Sequence, residues 1–185
     1  MMYLLAGDIG GTKTLLELSQ FDRNQYSIIK THSFASSAYA SFDLVLEDFL
    51  DEIDLPISSA CFGVAGPIND NQAGETTAQV TNLPWKLSSS SLSNQTGIQN
   101  VQIINDFQAV GYGLTALQQD DLFTLQIGEP QDKGNLLVIG AGTGLGVALL
   151  VWRNGQYQVM ATEGGHAGFS PTTELESELC KYLIK

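Results

Sequence analysis

Two glycine-rich turns, each set between apolar runs of strand length, constrain this chain more than any other feature. The first is Gly7-Asp8-Ile9-Gly10-Gly11-Thr12-Lys13-Thr14, joining strands predicted over 3–8 and 14–21. The second is Gly140-Ala141-Gly142-Thr143-Gly144-Leu145-Gly146, joining strands predicted over 135–140 and 146–152. Phosphate loops of the Walker A and dinucleotide types lead into a helix, whereas a strand follows both of these turns. Lys13 also follows Thr12 rather than a glycine, and Leu145 and Val147 occupy the third-glycine positions of G-x-G-x-x-G. Two readings remain for each. Either it is an ordinary glycine hairpin, or its backbone amides approach an anion with a threonine hydroxyl beside them.

The surrounding periodicity gives the frame. A third strand is predicted over 25–33 after a polar turn. Phe42, Val45, Leu46, Phe49 and Leu50 then recur at i, i+3, i+4, i+7 and i+8, an amphipathic helix capped by Ser41. A small-residue strand over 58–65 closes on Gly66-Pro67. Beyond a polar loop come a helix over 88–95 stopped by Gly97, a strand over 101–105 and a helix over 107–117. The order is β-β-β-α-β-α-β-α. A loop rich in Gly, Pro and Asp over 128–134 resets the pattern, and three strands recur, the last two joined by the two-residue turn Asn154-Gly155. Thr173 and Glu176 form a capping box ahead of a final helix. The expected organisation is an α/β domain over 1–118 and the first part of a second, similar domain over 119–185.

Charge removes classes of partner. Lys and Arg number 8 against 20 Asp and Glu, a net charge of −12. Nucleic acid and anionic membrane surfaces both require clustered cations, so neither is an expected partner. No apolar run reaches the roughly 18 residues of a membrane span, and the first residues do not resemble a signal peptide, so a cytoplasmic protein is expected. Cys61 and Cys180 lack metal-ligand spacing and read as buried or free thiols of a reducing compartment. With few cations available, any bound phosphate falls to backbone amides and a metal. Asp8, at the end of the first strand, is placed to hold Mg²⁺ through water.

Two polar clusters remain. Asn105-Asp106 ends a strand just before a helix, where a carboxylate either faces a ligand crevice or serves only as the helix N-cap. Glu163-Gly164-Gly165-His166 sets a carboxylate and an imidazole on a glycine turn, and reads as ligand-binding or structural; His32, on a strand edge, reads as structural. Together, Asn, Asp, Glu and His suit the hydroxyls of a neutral sugar, and two glycine hairpins suit phosphate. That combination is what a sugar kinase requires, with one carboxylate to accept the proton of the attacking hydroxyl.

With these residues in hand, the chain resembles the bacterial glucokinase family, within the ribonuclease H-like (actin-like ATPase) superfamily. Four stretches carry the likeness: Ala6–Lys13, Asn105-Asp106-Phe107-Gln108-Ala109-Val110, Gly140–Val147 and Glu163-Gly164-Gly165-His166-Ala167-Gly168-Phe169-Ser170-Pro171. Thr81-Asn82-Leu83-Pro84-Trp85 and Cys61–Pro67 support it. The resemblance implies phosphorylation of glucose at its 6-hydroxyl by ATP and Mg²⁺, with Asp106 as general base. Asn105, Asp106, Glu163 and His166 would bind the sugar. Gly7, Asp8, Ile9, Gly10, Gly11 and Thr12 would form the first phosphate site, and Gly142, Thr143 and Gly144 the second. It further implies a homodimer at full length, and a family chain that continues past Lys185 with another sugar-binding glutamate and the adenine pocket, so that these 185 residues are expected to act poorly alone. The nearest alternatives are a ROK-type kinase for another hexose, whose cysteine-rich zinc motif is missing after His166, and a sugar-binding regulator without catalysis.

Overall fold

The computed structural model describes residues 1–23, 25–71, 74–142 and 144–184, and the chain divides into two compact units, Met1–Glu129 and Pro130–Lys185. The domain change is expected at 118/119; the division of contacts falls at 129/130.

In the first unit, β1 (Met2–Ile9) pairs antiparallel with β2 (Lys13–Asp22), and β2 with β3 (Gln25–Ala35). On its other side β1 runs parallel to β4 (Ile57–Val64), and β4 to β8 (Asn100–Asn105), giving the order β3-β2-β1-β4-β8. A parallel neighbour requires a crossover. α1 (Phe42–Leu50) supplies the first, α2 (Ser89–Thr96) lies on the second, and α3 (Asp106–Leu114) follows β8. The register aligns Leu16, Gly7, Phe62 and Ile103 across one face of the sheet. Phe42, Val45, Leu46 and Phe49 of α1 are buried with these apolar residues, Phe42 edge-on to Phe62 at 5.1 Å. α3 packs on the opposite face, beside β4.

Several expectations need correction. Residues 68–88, read as a polar loop running into a helix, form a small antiparallel sheet, β5 (Ile68–Asp70), β6 (Thr76–Gln79) and β7 (Lys86–Ser88). Its strands are too short for periodicity to register, yet Ala78, Val80, Trp85 and Leu87 close the same core. Ser41 stands at the α1 N-cap without a side-chain hydrogen bond. Ser88 is the cap of α2, its hydroxyl accepting from Ser91 N at 3.2 Å, and Gly97 ends that helix at φ +74°. α3 stops at Leu114, three residues early, in a chain of tight turn bonds.

The second unit begins with β9 (Leu136–Ala141), β10 (Leu145–Arg153) and β11 (Gln156–Thr162), an antiparallel sheet in the order β11-β10-β9 that repeats the β3-β2-β1 order of the first. Asn154 and Gly155 both take positive φ, +52° and +84°, the twist a two-residue hairpin turn demands. α4 (Glu174–Leu183) starts on the expected capping box, Thr173 Oγ1 accepting from Glu176 N at 3.2 Å. Val138, Ala148, Leu150 and Val159 are buried here, whereas α4 buries none of its described residues.

Candidate active site

In the first unit the expected site residues collect where β1, β4 and β8 end. The chain leaves β1 through Gly10–Thr12, and Gly10 N donates to Lys13 O at 3.0 Å. Ser36, fully buried, holds this turn from beneath. Its hydroxyl donates to Gly10 O at 2.8 Å, and its N–H donates to Thr12 O at 3.0 Å. Because that one hydroxyl proton is committed, Thr14 Oγ1 must be the donor in its 2.9 Å contact with Ser36 Oγ. Gly10 O and Thr12 O are thus both satisfied by Ser36. No sequence signal singled out Ser36, a serine in a serine-rich stretch.

Gly7 and Ile9 lie inside the strand rather than in the turn. Ile9 is fully buried, and a Cβ at Gly7 would come 2.7 Å from Phe62 and 2.8 Å from Leu16. Gly7 is therefore a packing requirement of the core row. The open part of the expected set is Gly10, Gly11 and Thr12. Asp8, between Gly7 and Ile9, points to the other face, that of α3.

The start of α3 settles how Asn105 and Asp106 divide the work of capping. Asn105, not Asp106, is the N-cap: its Oδ1 accepts from Phe107 N at 3.0 Å and Gln108 N at 3.3 Å. Asp106 is the first helical residue, with Oδ1 2.9 Å from Phe107 N. The correction has a physical reason, since Asn105 still has extended backbone and Asp106 is already helical. Asn105 Nδ2 and Asp106 Oδ2 make no hydrogen bond among the described residues.

Gly63 brings this pair to Asp8. It stands opposite Asp8 on β1 and Ile104 on β8, and a Cβ there would lie 3.0 Å from Ala109 Cβ and 3.7 Å from Asp106 Cα. Its missing side chain lets α3 close on the sheet. Asp8 reaches solvent on one side, but lost hydration on the others raises its pKa above 3.8; the charge of Asp106 adds to this and Lys13 opposes it. No group of three or more His, Cys, Asp or Glu suited to a metal occurs among the described residues.

In the second unit, Gly142 N donates to Gly144 O at 2.8 Å, closing the turn between β9 and β10. Thr143 lies outside the described residues. Glu163–His166 folds into one 3-10 turn, with His166 N bonded to Glu163 O and His166 Nδ1 3.0 Å from Glu163 Oε2, both side chains open to solvent. The glycines of this turn serve packing rather than flexibility. A Cβ at Gly165 would sit 1.6 Å from Leu145 O, so the turn is docked on the first residue of β10. Glu163 and His166 are thereby held beside the second glycine turn. His32, on the edge strand β3, stacks edge-on to Phe34 at 4.5 Å, a structural role.

The architecture of these units is the ribonuclease H-like, actin-like ATPase fold. The sequence model of the Glucokinase family matches residues 5–185, and the chain belongs to that family. It is 45% identical over 186 residues to the glucokinase of Nostoc punctiforme (strain ATCC 29133 / PCC 73102), covering 100% of this chain and 53% of that protein. Among solved structures, a glucokinase from an Antarctic psychrotroph is similar at 30% identity with a TM-score of 0.83, covering 99% of this chain and 56% of that one. The glucokinase of Balamuthia mandrillaris in complex with glucose is similar at 28% identity with a TM-score of 0.69, covering 98% and 54%. The chain spans about half the length of the curated relatives it matches.

Proposed function

We propose that this chain is the sugar-holding part of an ATP-dependent glucose kinase that forms glucose 6-phosphate. The observation that carries the reading is the nearness of Asp106 to Asp8 at the strand ends, beside a turn in which Ser36 satisfies Gly10 O and Thr12 O. Asp106 Oδ2 accepts the proton of the 6-hydroxyl as its oxygen attacks the γ-phosphorus and ADP leaves. Asn105, its oxygen committed to α3, donates from Nδ2 to a neighbouring hydroxyl. Glu163 and His166 hold the remaining hydroxyls. Gly10–Thr12 holds phosphate oxygens by its amides, and Gly142–Gly144 does the same on the second unit. Asp8 would hold Mg²⁺ through water, and the ion when bound would neutralise charge on the phosphates. A cytoplasmic homodimer at the entry to glycolysis completes the reading.

Coupled measurement of ADP formation by the full-length protein, with and without glucose, tests it. Glucose-dependent ADP release is expected, and Asp106→Asn should lower kcat about 10²–10⁴-fold with glucose affinity retained. ADP release indifferent to sugar, or an Asp106→Asn enzyme keeping more than about a tenth of the parent rate, overturns the assignment.

A further inference from the structure

The loop after β6 belongs to the same end of the sheet. Ala65 N donates to Ile9 O at 3.0 Å, and Thr81 N to Ala65 O at 2.9 Å, so the loop is tied through the end of β4 to the end of β1. Its carbonyl then meets the first glycine turn. A Cβ at Gly11 would stand 2.6 Å from Thr81 O and 3.5 Å from Asn82 Cβ. Gly11 is glycine because this peptide presses against it.

The loop has no freedom to retreat. Val80 N donates to Trp85 O at 3.1 Å and Leu83 N to Val80 O at 3.3 Å. The Gln79 side chain donates to Leu83 O at 2.9 Å and Trp85 O at 3.0 Å. Trp85 is 2% exposed and anchors the loop through Nε1 to Tyr39 O at 3.2 Å. On the other flank, a Cβ at Gly66 would lie 2.0 Å from Gln79 O, so the backbones are already in contact there. The chain turns back at Asn82 with φ +65°, a left-handed conformation that asparagine and glycine accept and β-branched residues resist. The Asn82 side chain is exposed and makes no hydrogen bond among the described residues. Its contribution therefore lies in its backbone.

We propose that Asn82 is a positioning residue for the phosphate-holding turn: its left-handed backbone seats the Thr81 carbonyl against Gly11 and so fixes where the Gly11 and Thr12 amides stand. The inference deepens the kinase reading and rests on it for its effect on turnover, but not for its effect on the turn. Two measurements on the full-length protein separate these.

In steady-state kinetics, Asn82→Val should raise the ATP KM about tenfold while the glucose KM moves less than about twofold, and Asn82→Gly should stay within about twofold of the parent in both. In ¹⁵N-glycine spectra, the Gly10 and Gly11 amide resonances should move in Asn82→Val and keep their places in Asn82→Gly, whatever the turnover. If Asn82→Val does not fold, Asn82→Ala carries the same test with smaller displacements. Unmoved Gly10 and Gly11 resonances, or an Asn82→Gly protein as impaired as Asn82→Val, overturns the proposal. A parent protein without glucose-dependent turnover counts against the kinase reading alone, and the resonances still decide the role of Asn82.

Discussion

The carboxylate of Asp106 opposes ionisation of Asp8 across the space that Gly63 leaves between β4 and α3. Lost hydration is the larger cause of the raised Asp8 pKa, and the Asp106 charge the second. The folded protein therefore binds the Asp8 proton more tightly than the unfolded chain does. The resulting destabilisation is absent below the ordinary value of 3.8 and grows as pH rises through the folded pKa. Asp8→Asn should raise Tm at pH 7, with the gain disappearing below pH 3.8, and should remove stabilisation by added Mg²⁺. Asp106→Asn should lower the Asp8 pKa in carboxyl ¹³C titration. An unchanged titration would separate the two groups.

Gly63 sets the distance between that pair. Gly63→Val would force α3 outward, because Ala109 Cβ already lies 3.0 Å from the position of a Cβ. Overpacking of this kind costs about 1–3 kcal/mol, and a shift of about 1 Å at the reacting groups costs on the order of 10²-fold in kcat. Denaturant melts and turnover of one purified variant check both. A variant with parental kcat would mean that α3 does not carry the base.

Gly165 makes the matching test in the second unit. Leu145 O cannot give way by the distance a Cβ would need, so Gly165→Ala should lift the Glu163–His166 turn off β10. Calorimetry with glucose should then show affinity reduced about tenfold or more. Parental glucose affinity would exclude this turn from the sugar site.

Ser36→Ala leaves the part-buried Gly10 carbonyl without its donor. Such an orphan costs about 1–3 kcal/mol, read from denaturant unfolding. The ATP KM should rise as the turn loosens, with the glucose KM little changed. Equal rises in both would point to general damage.

Glu75 is a pH-dependent tie away from the site. Hydrogen bonds from Ser88 and Ser90 lower its pKa, with a smaller contribution from Asn71. Stability from this tie is present above the ordinary value of 4.5 and lost as pH falls through the folded pKa. Glu75→Gln should lower Tm at pH 7, and the two proteins should converge in acid. A constant difference across pH would deny the carboxylate its part.

Much of this was legible in residue order because the signals were local. The α1 stripe from Phe42 to Leu50, the Asn154-Gly155 hairpin and the Thr173–Glu176 box each declare themselves within one or two turns of chain. The β5–β7 sheet did not, since three- and four-residue strands give periodicity too little length to work on. In the candidate site, the polar residues Asp8, Asn105, Asp106, Glu163 and His166 stand out by type. The residues that position those side chains do not, because Gly63, Gly165 and Ser36 act by contact with segments distant in sequence. Glycine in particular says only that something comes close. Whether that is an anion or, as at Gly11, the carbonyl of Thr81 is fixed by tertiary packing alone.

The grip of Ser36 on the first turn sorts that turn's partial charges by side. With Gly10 O and Thr12 O both accepting from one buried serine, negative ends are drawn into the protein before any ligand arrives. In a chain of net charge −12, a turn with these two carbonyls turned inward favours a polyanion without spending a lysine or arginine.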